Sequence, residues 1–77
     1  MVHIYADGTD TYDIDELWEQ FWEACDELGV KDVYLYDTDE SRSGLSIYDF
    51  PYSRQVANDI VEYLQDEYPK AYWHTAG

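Results

Sequence analysis

Apolar residues recur at steps of three and four across residues 13–29. Ile14, Leu17, Trp18, Phe21, Trp22, Cys25 and Leu28 fall on one face of a helix, and Asp15, Glu16, Glu19, Gln20, Glu23, Asp26 and Glu27 on the other. Asp13 can cap this helix, with Glu16 three residues on completing a capping box and with Tyr12 and Leu17 placed as a hydrophobic staple. Gly29 can take the left-handed conformation that ends it. Elsewhere the pattern alternates with period two, which predicts strands over residues 2–6, 32–36 and 45–50. Val2, Ile4, Leu45 and Ile47 then face a core, His3, Tyr5, Ser46 and Tyr48 face away, and Phe50 falls outward or at the margin. Val33 and Leu35 share one face of the middle strand, Tyr34 and Tyr36 the other.

The remaining punctuation completes the order. Residues 37–44 are polar and read as a hairpin loop, and Pro51 stops the strand before it. Ser53 can cap a second helix with Val56, Ala57, Ile60, Val61 and Leu64 as its apolar stripe, ended by Tyr68-Pro69. Residues 71–75, rich in Tyr, Trp and Thr, predict a last edge strand; without it the sheet would have three strands.

Strand, helix, strand, strand, helix, strand is the split βαβ pattern. It predicts an α+β two-layer sandwich, βαββαβ and ferredoxin-like, with both helices on one face of an antiparallel sheet. Right-handed crossovers then bring the loop at residues 7–13, the loop at 37–43 and the end of the second helix to one pole. That pole is expected to collect Asp7, Asp10, Asp13, Asp15, Glu16, Asp37, Asp39, Glu40, Asp66 and Glu67, diluted by Arg42 and Lys70. The uncovered sheet face is expected to carry His3, Tyr5, Tyr34, Tyr36, Ser46, Tyr48 and Tyr72.

Length and charge narrow what such a body can do. Seventy-seven residues make one domain whose small core leans on aromatic area, from three Trp, nine Tyr and two Phe, because a single cysteine allows no internal disulfide. The lone cysteine, the lack of a long apolar run and the lack of a signal sequence after Met1 lead to the expectation of a soluble cytoplasmic protein. Eighteen Asp and Glu against four Lys and Arg give a net charge of −14. That charge repels nucleic acid and anionic lipid and attracts basic protein surfaces. An aromatic content of 18% separates the chain from acidic disordered segments. The scarcity of lysine also fits adaptation to high salt.

Reactive chemistry is sparse. His3 and His74 are the two histidines, Cys25 lies on the apolar stripe as a core thiol, and no phosphate loop, serine elbow or zinc spacing occurs. The expectation is a non-enzymatic protein without a cofactor. Asp37-Thr38-Asp39-Glu40 and Asp7-Gly8-Thr9-Asp10 offer hard oxygens, but Arg42 stands where a calcium loop needs glycine, so only adventitious cation binding is expected.

The carboxylates carry the functional expectation. Asp26, Glu27, Asp66 and Glu67 occupy last helical turns, where the helix dipole disfavours anions. Glu16, Glu19, Glu23 and the 26–27 pair repeat about every 5 Å of rise, comparable with successive phosphates of a nucleic-acid strand. In size, charge, aromatic richness and fold pattern the chain resembles the small acidic inhibitors of phages and other mobile elements, including DNA-mimic and anti-CRISPR proteins. No motif aligns with them. The resemblance implies occupation of a basic nucleic-acid site on a CRISPR, restriction or repair component. The contact would use Asp7, Asp10, Asp13, Asp15, Glu16, Glu19, Glu23, Asp37, Asp39, Glu40, Asp66 and Glu67, with Tyr34, Tyr36 and Tyr48 as anchors. Two alternatives stay open: a high-salt-adapted domain that forms a homodimer through its tyrosine face, and an immunity protein for a basic toxin.

Overall fold

The structure, a computed structural model, describes residues 2–77. Its elements are β1 (His3–Asp7), α1 (Ile14–Glu27), β2 (Asp37–Glu40), β3 (Gly44–Tyr48), α2 (Arg54–Glu67) and β4 (Tyr72–Ala76). The strands make a four-stranded antiparallel sheet in the order β2-β3-β1-β4. The protein is α+β with an open sheet.

Helix α1 forms where its end signals lie. The Asp13 carboxylate accepts from the Glu16 N–H at 2.9 Å, and the Glu16 carboxylate accepts from the Asp13 N–H at 3.3 Å. At the other end the Gly29 N–H donates to the Asp26 carbonyl and the Val30 N–H to the Cys25 carbonyl, a Schellman turn. Gly29 holds φ +69°, and an added Cβ there would meet no atom within 4 Å. Gly29→Ala is therefore expected to cost about 1 kcal/mol in urea denaturation from backbone conformation alone. No measurable change would mean that the turn relaxes. Ser53 caps α2 by accepting from the Val56 N–H at 3.4 Å.

The core takes alternate residues of the sheet and one arc of each helix. Ile4, Ala6, Leu45, Ile47 and Trp73 are buried with Leu17, Phe21, Ala24 and Cys25 of α1 and Ala57, Ile60 and Leu64 of α2. Phe50 joins them fully, not at the margin. Asp49 takes φ +54°, which turns the chain inward after β3, and the Phe50 N–H is held by the Val2 carbonyl at 2.9 Å.

The buried arc of α1 is rotated from the expected stripe. Gln20 is 4% exposed, whereas Trp22 is 43% and Leu28 42% exposed. The sheet and α2 cover the side centred on Leu17, Phe21 and Ala24, so Trp18 and Trp22 fall on its flank. There they stack on each other, with centroids 6.1 Å apart and planes 15° from parallel.

The second strand is displaced from residues 32–36 to Asp37–Glu40. The hairpin closes over three residues, with the Ser41 N–H donating to the Gly44 carbonyl at 2.9 Å, and this sets Glu40 opposite Leu45 and Asp37 opposite Tyr48. Further pairing would require Asp49 and Phe50 to extend β3, and both are committed elsewhere. Residues 32–36 are thus left without a partner strand, and Asp32 at φ +57° breaks the extended run at its start. Val33 and Leu35 still pack against the core.

Candidate protein-binding surfaces

All eighteen carboxylates are exposed. The topology gathers part of them at one end of the sheet, where Asp7 pairs with Gly44 and Tyr72 and β2 ends at Glu40. The Gly8 N–H donates to the Ser43 carbonyl, and the Thr9 hydroxyl donates to the Lys70 carbonyl at 3.0 Å. These bonds tie the first loop to the hairpin and to the turn after α2. A Cβ on Gly8 would lie 2.5 Å from the Tyr12 carbonyl oxygen, so this approach needs glycine. Asp7, Asp10, Asp13, Glu16, Glu40, Asp66 and Glu67 belong to these converging segments, and Asp15 lies in the first turn of α1. Arg42 shares a hollow there with Asp10, Asp13 and Glu16.

Asp37 does not reach this pole. It stands opposite Tyr48 at the far end of β2, about 10 Å along the strand from Glu40, and Asp39 lies between them opposite Ser46. Alternation along the strand also separates Asp37 and Asp39 from Thr38 and Glu40. Four consecutive hard-oxygen residues therefore cannot converge on an ion. Among the described residues no three of His, Cys, Asp and Glu are placed to share one.

A second negative strip runs between the helices. The Tyr68 hydroxyl donates to Glu23, and this bond, with burial and the neighbouring carboxylates, pushes the phenol up to about 12. Tyr63 is raised by burial and then by Glu23, Glu27 and Glu67. Glu16, Glu19 and Glu23 border a hollow with Tyr12 and Tyr68, whose rings meet edge to face at 6.1 Å. Glu67 of α2 acts on the same two phenols as Glu23 of α1, so carboxylates of both helices share the seam with Tyr63 and Tyr68.

The uncovered face of the sheet carries a chain of rings: Tyr72 on His74 (4.7 Å), His74 on Tyr5 (5.3 Å), Tyr5 against Tyr48 (6.1 Å) and Tyr48 against His3 (5.6 Å). His3 Nδ1 accepts from the Asp49 N–H at 3.2 Å. Placing His74 in this row follows from the register of β4, which sets it opposite Tyr5. Tyr34 and Tyr36 are absent from this face, because the segment that carries them is not in the sheet. They project instead beside α1, 64% and 93% exposed, and with Trp18, Trp22, Val33 and Leu35 they line an open groove of about 430 Å³. This aromatic groove has no counterpart among the surfaces expected from the sequence. Its signal was a helical stripe of seven apolar residues, wider than one buried arc.

Cys25 is buried on the helix side of the sheet and its thiol is pushed up to about 11 by burial, away from both histidines on the opposite face. No helix among the described residues is long and apolar enough to cross a membrane. No family model matches the chain, and comparisons with curated proteins and with solved structures find no match.

Proposed function

We propose that this chain is a non-enzymatic inhibitor that binds a basic, nucleic-acid-binding protein and occupies its nucleic-acid site, in the manner of phage-type DNA mimics. The observation that carries the reading is the exposure of every carboxylate on a folded, aromatic-rich body with a net charge of −14. Isolated surface charges contribute little each. A shared negative field over the pole and the helix seam steers and orients a basic partner, and exposed aromatics supply desolvated contacts. The element order with the sheet order β2-β3-β1-β4 further supports reading the fold as ferredoxin-like, with both helices on one face. The reading puts the protein in the cytoplasm, where CRISPR, restriction and repair components work.

The test is capture on the immobilised chain from a bacterial lysate, followed by a salt series and competition with duplex DNA and RNA. The expected partners are basic nucleic-acid-binding proteins whose affinity falls steeply between about 0.05 M and about 0.5 M salt and which nucleic acid displaces. Partners that bind independently of salt and are indifferent to nucleic acid would overturn the reading.

A further inference from the structure

The groove beside α1 is built from two kinds of surface at once. On the helix side Trp18 and Trp22 stand one turn apart and stacked, and the Trp18 indole N–H donates to Glu40 at 2.8 Å. That bond fixes the ring and holds a carboxylate at the groove. On the other side residues 33–36 run past without strand partners, with Val33 and Leu35 turned inward and Tyr34 and Tyr36 outward. The Tyr52 hydroxyl donates to the Lys31 carbonyl and pins the start of this segment. Beyond Trp22 the surface continues into a hollow bordered by Asp26 and Asp32. At its other end it meets β2, an edge strand paired only with β3, whose four residues are all exposed.

Charge decides what can fill such a place. A second copy would bring another −14 and set Asp37, Asp39 and Glu40 against the same carboxylates, so this edge is protected from self-pairing. Nucleic acid is repelled by the same field. A cationic side chain is favoured twice, by the carboxylates and by the faces of the indole and phenol rings. Guanidinium suits the site better than ammonium because it is planar, stacks on aromatic rings and is less strongly hydrated. An added strand would place alternate side chains about 7 Å apart on one face, close to the 6.1 Å between the two indoles.

We propose that this groove and the free edge of β2 dock an extended arginine-containing segment of a protein partner, with guanidiniums stacked on Trp18, Trp22 and Tyr36 and the main chain paired to β2. The proposal rests on the partner being basic, as read above, and locates where it is gripped.

The experiment is NMR titration of the full ¹⁵N-labelled chain with a synthetic peptide of alternating threonine and arginine, beside its lysine and glutamate counterparts. Saturable shifts are expected at the backbone amides of Asp37–Glu40 and at the indole N–H groups of Trp18 and Trp22. Tyr36→Ala and Trp22→Ala are expected to weaken binding by about three- to thirty-fold each, while a paired Asp59→Asn, Glu62→Gln variant on the exposed side of α2, outside both the groove and the pole, stays within about two-fold. Tyr36 is nearly fully exposed, so its loss leaves the fold in place. Shifts centred on residues 7–16, or affinity unchanged by Tyr36→Ala and Trp22→Ala, would overturn the site. Equal affinity for the lysine peptide would overturn guanidinium stacking. If basic partners captured from lysate still bind both variants normally, the groove assignment fails and the inhibitor reading stands; if neither peptide nor captured partner binds, both fail.

Discussion

Replacing Phe21 by alanine is expected to remove about 3–5 kcal/mol of stability, a large share of what a domain of this size has. A stability of roughly 0.05–0.15 kcal/mol per residue gives about 4–12 kcal/mol in total. Phe21 is fully buried and meets four rings: Trp22 at 5.0 Å, Trp18 at 6.0 Å, Trp73 at 6.3 Å and Phe50 at 6.4 Å. It thereby joins α1 to β4 and to the turn after β3. Truncation deletes its buried area and leaves a cavity that the four rings, held in α1, in β4 and in the turn after β3, cannot collapse into without losing their own packing. Trp22→Ala removes a larger side chain but one already 43% exposed, so its expected cost is about 2 kcal/mol. Urea unfolding followed by circular dichroism separates the two. A Phe21→Ala loss no greater than that of Trp22→Ala would mean that the core is not organised around this ring.

The same helix shows what was legible in the sequence. Its period, the Asp13 and Glu16 cap and the Gly29 stop are local physics, and each appears where local reasoning puts it. The width of its buried arc is not local. Whether Trp22 or Gln20 faces inward depends on where α2 and the sheet lie, and no residue of α1 encodes that. The second strand failed for a related reason. Residues 32–36 alternate as a strand should and Asp37–Glu40 do not, yet pairing is fixed by the hairpin at 41–43 and by the inward turn at Asp49, both properties of the partner. The last strand was legible as aromatic sequence, but its anchorage was not. The Gln65 amide accepts from the Trp73 N–H at 2.9 Å and donates to the Ala71 carbonyl at 3.0 Å, clamping β4 to α2. These outcomes propagate to the surfaces. The pole follows from element order and was readable apart from Asp37, whereas the aromatic groove depends on the displaced strand and was not.

Raising salt from about 0.01 M to about 0.15 M is expected to stabilise the free protein by several kcal/mol. Two like charges about 18 Å apart repel by about 0.2 kcal/mol in unscreened water. A net −14 on a body of 29 × 23 × 20 Å creates dozens of such uncompensated pairs. Unfolding spreads the charges, so the repulsion bears mainly on the folded state, and shrinking the Debye length from about 30 Å to about 8 Å removes most of it. Neither helix carries a base in its last turn, so Glu27→Lys and Asp66→Lys should each raise stability at low salt and lose that advantage at high salt. Melting curves across a salt series read both effects, and a flat series would mean that the surface charge does not act as a collective field. The position of the curve also bears on function. An inhibitor working in ordinary cytoplasm must be cooperatively folded at about 0.15 M salt, where the screened repulsion is small beside the aromatic core. A chain that folds only in molar salt would instead be adapted to a saline interior, and its carboxylates would need no partner. A chain that is folded and salt-strengthened at physiological ionic strength leaves the negative surface as stored repulsion, which the proposed binding to a basic partner would relieve.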